Sequence, residues 1–264
     1  MKVYISVDFE GISGSTSWAS TNLGHFEHAP LAREMTLEAV AACEGALAAG
    51  ATEIYVKDAH DSGRNMDISL FPEEVKIISD WTCEPISMLG GLDSSFDAVM
   101  YVGYHSPAGL DGSPLSHTMN RGNNWVKYNG VLASEFLIHA YAAADLGVPS
   151  VFLSGDKMLC EHVRGFDPEI TTAAVKEGMG SATINLAPIR AQKLIRECAE
   201  QGLRNRSKCH LDVPGTITME ICFKDHFKAK RASYYPGVVQ LDAYTVSYTS
   251  STMDDLLRAR MFIL

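Results

Sequence analysis

Residues 2–11 read "KVYISVDFEG". An apolar, β-branched run that ends in two carboxylates, Asp8 and Glu10, and then in Gly11 is a buried strand with charge at its carboxyl end. Alternation along a strand puts residues i and i+2 on one side, so Asp8 and Glu10 are expected to face the same way. Two like charges that close repel, and no Lys or Arg flanks them. Something cationic is expected between them in the fold.

Working outward, the same form recurs. "TEIYVKDAH" (52–60), "VKIISD" (75–80), "DAVMYVGYH" (97–105) and "PSVFLSGD" (149–156) are strand-like and run into polar residues. Between them lie helical stretches. "LAREMTLEAVAACEGALAAG" (31–50) is rich in Ala, Leu and Glu and stops at Gly50. "SEFLIHAYAAADLG" (134–147) has Ser134 as N-cap and Gly147 as stop. "APIRAQKLIRECAEQG" (187–202) is a third helix, followed by a strand at "GTITMEICF" (215–223). Strands spaced by helices of this length predict an α/β fold, with a largely parallel central sheet and helices on both faces. The stretch after about residue 190 is more basic and has fewer acids at strand ends. It is expected to form a C-terminal α+β portion of one 264-residue domain, a possible subdomain with no clear boundary.

The bulk properties bound the function. A chain of 264 residues with 46% hydrophobic and 20% charged residues can bury a large core. A net charge of −10 argues against nucleic acid and anionic membranes as partners, which need a basic surface. Acids at positions 8 and 10 interrupt any signal peptide, and no apolar run approaches the roughly 20 residues of a membrane span. The six cysteines are scattered without a C-x-x-C pair and read as reduced, mostly buried thiols. A cytoplasmic protein is expected.

In open parallel sheets, ligands bind at the carboxyl ends of the strands. The strand ends here place Asp8, Glu10, Asp58, His60, His105 and Asp156 along one rim. Imidazole with carboxylate is a ligand set for Zn²⁺ and its neighbours, and a carboxylate pair can flank two divalent ions whose charge offsets the repulsion. Each residue also has a plainer reading: Asp8 or Glu10 as a turn cap, His60 as a loop residue, His105 as a half-buried histidine on a backbone carbonyl. Asp58 and Asp156 read better as ligand supports or helix caps. His25 and His28, in the loop-like "TNLGHFEHAP" (21–30), and the remaining histidines read as structural or exposed.

The chain resembles the M55 peptidases, metal-dependent aminopeptidases of the D-aminopeptidase type. The ordered set "SVDFEGISG" (6–14), "KDAHDS" (57–62), "GLDSSFDAVMYVGYHS" (91–106), "LSHTM" (115–119), "SEFLIHAYAAADLGVP" (134–149), "LSGD" (153–156) and "ITTAAVKEG" (170–178) carries the resemblance. It implies two zinc ions per chain, with Co²⁺ or Mn²⁺ as substitutes, held by Asp8, Glu10, His60, His105 and Glu135. Asp8 would bridge, and His117 would be the catalytic residue. It also implies short peptides as substrates, including those with an N-terminal D-residue, and a homo-oligomer of ten subunits in two stacked five-fold rings. Phe9, Ala59 and Ser134 depart from the usual residues beside the ligands, which bears on substrate preference more than on metal. Taken alone, Glu135 is a first-turn acid that complements a helix dipole. His117 taken alone is a loop histidine, in a Gly-, Ser- and Pro-rich segment (106–125) suited to an active-site loop. The basic, aromatic stretch "DHFKAKRASYYPG" (225–237) is either a subunit contact or a solvated loop.

Two rivals use the same residues. One is a dinuclear hydrolase acting on a non-peptide amide or a phosphoester. The other is a metal-binding protein without turnover, which leaves His117 with no task.

Overall fold

The computed structural model describes all 264 residues. In chain order the elements are β1 (Lys2–Val7), α1 (Trp18–Thr21), α2 (His28–Ala48), β2 (Glu53–Asp58), β3 (Val75–Ile78), β4 (Ala98–Tyr104), β5 (Asn123–Tyr128) and β6 (Val131–Leu132). There follow α3 (Glu135–Asp145), β7 (Ser150–Asp156), α4 (Lys157–Phe166), β8 (Thr171–Met179), β9 (Ala182–Asn185), α5 (Pro188–Arg204), β10 (Ile217–Phe223), α6 (His226–Ala232), β11 (Val239–Gln240), β12 (Thr245–Ser250) and α7 (Met253–Ile263).

A seven-stranded sheet has the order β3-β2-β1-β4-β7-β8-β9. Every pair is parallel except β8–β9. β4 and β7 are buried along their whole length, which is why they read as continuous apolar runs rather than alternating ones. Helices flank the sheet; α2 and α5 pack on each other and on its central strands. From β1 the chain moves one way to β2 and β3, then crosses back to place β4 on the other side of β1. That reversal leaves a crevice at the carboxyl ends of β1 and β4, where an open α/β sheet takes its ligands.

A second, five-stranded antiparallel sheet has the order β11-β12-β10-β5-β6. It draws strands from both 123–132 and 217–250, so its members lie far apart in sequence. The helix at 188–204, by contrast, belongs with the parallel sheet through α2. Helix α3 joins the two layers. Its Phe136, Ala140 and Ala143 belong to the apolar core of the first sheet, and its Leu137, Ile138 and Ala142 to that of the second. A helix apolar all round must be buried all round, and α3 is.

Several stretches differ from the sequence reading. Residues 226–232 of the basic segment form α6, not a loop. Helix α2 begins at His28, three residues earlier than expected, with Pro30 in its first turn, where the missing N–H costs nothing. No helix is long and apolar enough to cross a membrane. All six cysteines are free, and Cys43, Cys160 and Cys209 are buried.

Candidate metal centre

Strand β1 ends at Val7, so Asp8 and Glu10 stand on the turn beyond it rather than on the strand. Their convergence comes from that turn and not from strand alternation. Asp8 N–H still donates to Val102 O at 2.8 Å, and Gly11 N–H to Gly103 O at 2.7 Å, so the turn stays sewn to the end of β4. The approach is close enough to demand glycine on both sides. A Cβ on Gly11 would lie 1.8 Å from Tyr104 O, and one on Gly103 2.2 Å from Asp8 O. Gly103 also has φ +71°.

His60 and His105 follow β2 and β4 by one or two residues. His60 Nδ1 lies 3.3 Å from Asp8 Oδ1 and 3.0 Å from Glu10 Oε2. His105 Nε2 lies 3.4 Å from Asp8 Oδ2 and 3.3 Å from Glu135 Oε2. The other nitrogen of each ring is occupied: His60 Nε2 donates to Thr21 O at 2.9 Å, and His105 Nδ1 to Ser106 O at 2.9 Å. Each ring therefore turns its remaining nitrogen toward the acids, the arrangement expected of a histidine that ligates once that nitrogen is deprotonated. Glu135 opens α3. Ser134 caps that helix by accepting from Leu137 N–H at 3.1 Å, and Glu135 Oε1 accepts from Met119 N–H at 2.7 Å.

His117 joins this group. Its Nδ1 donates to Leu115 O at 3.0 Å and its Nε2 lies 3.5 Å from Glu135 Oε1. Its ring stacks on His105 with centroids 4.2 Å apart, and Trp18 meets it edge-on at 5.2 Å. The segment is pinned by Thr118, which is fully buried, donates to Ala133 O at 2.9 Å and accepts from Ala108 N–H at 3.1 Å.

The electrostatics are those of buried acids facing buried imidazoles. Burial, then the neighbouring Glu10, raises Asp8 well above the usual carboxylate range. Burial alone would raise Glu10 too, but the facing His60 holds it well below. Burial likewise opposes the charged form of Glu135, and His105 and His117 outweigh it and bring the carboxyl to about 2. His105 is pushed up to about 10, because Glu135 and Asp8 overcome burial, and His60 also rises. Burial and the adjacent His105 lower His117, so this ring is neutral at neutral pH.

The donor set fits a metal. Asp8 Oδ2, Glu10 Oε2 and His105 Nε2 are buried without any hydrogen-bond partner, although buried polar atoms are nearly always satisfied. Ligand atoms of Asp8, Glu10 and His105 lie within 4.8 Å of one another, and so do those of His105, His117 and Glu135. The rim therefore brings together every residue that the sequence reading gathered as a ligand or catalytic candidate. Asp58 and Asp156 stay outside it. Asp58 accepts from the Asn65 and Met66 N–H groups and orders the loop after His60. Asp156 caps α4 through Leu159 N–H and accepts from Ser106 N–H, beside His105. His28 is structural: it is buried, stacks on Phe9 and bonds Asn65.

Sequence reasoning missed Lys176. This buried side chain on β8 donates to Glu10 O and, at 2.5 Å, to Ser15 O, clamping the turn that carries Glu10. Burial lowers it to about 8. A lysine directly after the apolar run Ala173–Val175 was the available signal.

The D-aminopeptidase model of the M55 peptidases matches residues 1–262. A D-aminopeptidase of Bacillus subtilis (strain 168) is 30% identical over 266 residues, which span 99% of this chain and 96% of that protein. The fold is similar, with a TM-score of 0.93 and 30% identity, to the solved structure of the Zn-dependent D-aminopeptidase DppA from Bacillus subtilis, described as a self-compartmentalizing protease. That match covers 100% of this chain and 96% of the other. The chain belongs to the M55 peptidase family.

Proposed function

We propose that this protein is a zinc-dependent aminopeptidase that cleaves short peptides, with two zinc ions held by Asp8, Glu10, His60, His105 and Glu135. One observation carries the reading. The two oxygens of Asp8 face different histidines, Oδ1 toward His60 and Oδ2 toward His105, so a single carboxylate stands between two imidazole–carboxylate groups. Glu10 completes the first group and Glu135 the second. The activity of the relatives supports zinc and an amino-terminal peptide bond. When bound, zinc supplies Lewis acidity, which acidifies water and polarises a substrate carbonyl.

The chain's own groups do the rest. His117 carries its proton on Nδ1, fixed by Leu115 O, so Nε2 is the basic atom and faces the acids. With its pKa lowered, Nε2 is free to take a proton from the attacking water and to return it to the leaving amine. Trp18 walls the ring on one side and His105 on the other, which fixes its direction. The cavity over the cluster measures about 410 Å³ and is walled by Trp18 and Trp81, which is room for a short peptide and not for a folded chain. Exposed aromatic side chains on and beside α6 and α7, Phe227, Tyr234 and Phe262, support a contact between copies. With the self-compartmentalizing neighbour they support a homo-oligomer of the two-ring, ten-subunit kind. Light scattering that returns a monomer mass would remove that part.

The test compares zinc content and steady-state kinetics of three variants. His117→Ala is expected to keep both zinc ions and to lose kcat by about 10²–10⁴-fold, the range of one acid–base group. His60→Ala and His105→Ala are expected to lose zinc and activity together. If His117→Ala sheds zinc or keeps full kcat, its role is wrong. If reloaded wild type holds no stoichiometric metal, the whole reading falls.

A further inference from the structure

The cavity above the cluster is charged unevenly. Its acids, Asp8, Glu10, Asp61 and Glu135, are joined by one Lys or Arg side chain only, that of Arg121. Arg121 has no acid within the 4.0 Å of an ion pair and no hydrogen bond to the chain. Its guanidinium lies over the face of Trp18, 4.3 Å from the ring centroid, and Trp18 in turn meets His117. The cation is thus held one indole away from the acid–base group.

Its backbone is held as well. Asn120 Oδ1 accepts from Gly122 N–H at 2.7 Å, and Asn120 Nδ2 donates to Leu264 O at 2.8 Å. Lys224 N–H donates to Gly122 O at 2.9 Å. A rigid turn and an aromatic platform restrict a side chain that would otherwise lose much rotamer freedom on binding. A stacked guanidinium still presents its edge N–H groups, and that fork matches a carboxylate.

We propose that Arg121 is the receptor for the free α-carboxylate of the substrate. This deepens the aminopeptidase reading and rests on it. With Asp8, Glu10 and Glu135 committed to zinc, the amino end of the peptide belongs at the metal cluster as a free amine beside Asp61, and the fixed guanidinium of Arg121 complements its carboxylate. Peptides short enough to reach both ends gain both contacts. Longer or C-terminally blocked peptides gain only the first.

The experiment measures kcat/KM of zinc-loaded protein for alanyl-alanine, in D and in L form, against the same peptide as its C-terminal amide. In parallel, calorimetry measures binding of a non-hydrolysable isostere with CH₂–NH in place of the peptide group, again as acid and as amide. Wild type is expected to favour the acid by about 10–100-fold, the scale of a hydrogen-bonded charge pair, mostly through KM. Arg121→Gln should bring that ratio to near one with zinc content unchanged. Arg121→Lys should retain part of it, since the charge survives and the fork does not. Equal handling of acid and amide by wild type, or an equal loss on both in Arg121→Gln, overturns the proposal. If no alanyl peptide is cleaved but the acid isostere binds preferentially and Arg121→Gln abolishes that preference, the carboxylate site stands and the aminopeptidase reading falls.

Discussion

His60 meets Asp8 and Glu10 through short turns that close the parallel sheet, whereas His105 meets Glu135 only because α3 is clamped between two apolar cores. The first half of the cluster needs only local chain. Residues 8–11 and 59–60 follow directly on adjacent strands in register, Val7 opposite Asp58. The second half joins β4, the 106–122 segment and α3, and that segment is fastened to the antiparallel sheet through Asn123 and Thr118. The difference teaches that the second sheet, which bears no ligand, still decides where Glu135 and His117 stand.

The strongest way to break the comparison is to remove the one residue common to both halves. Asp8→Ala is expected to empty both metal positions and bring turnover to background. Loss of a group that merely orients a ligand costs about 10–100-fold in metal affinity, and loss of a shared ligand costs more. Elemental analysis after reloading decides it; an Asp8→Ala protein that retains one full zinc would show the halves to be independent.

The next test separates the halves. Leu137→Ala opens a cavity on the side of α3 facing the second core, where Leu137 is buried. A cost of about 2–5 kcal/mol is expected, seen as a lowered denaturation midpoint. Zinc should leave the His105–Glu135 half more readily than the half at His60. Uniform weakening of both ions would mean that the cores do not set the site separately.

Protons sharpen the comparison further. In the metal-free protein His105 titrates near 10, so it is charged at pH 8 and must lose its proton to bind zinc. Zinc uptake at pH 8 should therefore release protons, measured as a calorimetric heat that varies with the buffer. The sign for stability follows from the same shift. A raised histidine pKa stabilises the metal-free fold fully below the unfolded value of roughly 6.5, and that contribution fades as pH rises through about 10. Metal-free protein should lose stability on alkalinisation across that window. No proton release at pH 8 would remove His105 from the ligand set.

The smallest effect is expected at the cap of α3. Ser134→Gly should cost only a few tenths of a kcal/mol, while Ser134→Ala should cost about 1 kcal/mol, because glycine tolerates the cap conformation and alanine replaces neither it nor the hydrogen bond. Thermal melts resolve the pair. Equal costs would mean that the cap conformation, which glycine tolerates better than alanine, contributes nothing at this helix start.

These tests track how much was legible in the chain. Asp8, Glu10, His60 and His105 announced themselves because each ends an apolar strand, and the carboxyl rim of a parallel sheet is a shared destination. Glu135 and His117 gave no such sign. A first-turn glutamate and a loop histidine have ordinary reasons to exist, and only the family resemblance singled them out. Arg121 and Trp18 were silent for the same reason: their stacking joins residues 103 positions apart in a way that no periodicity encodes.

The sequence by itself determined the alternation of strand and helix, the parallel sheet and the charged ends of its strands, because hydrophobic periodicity and capping act over a few residues. The turn at 8–11 read as strand, because its need for glycine at position 11 comes from Tyr104 O of the neighbouring β4 and not from the local chain. Tertiary structure alone decided that residues 123–132 pair with 217–250, that α3 is buried on both sides, and that Lys176 holds the turn bearing Glu10. Those outcomes depend on contacts between segments distant along the chain, where the burial of apolar surface, not local propensity, selects the partner.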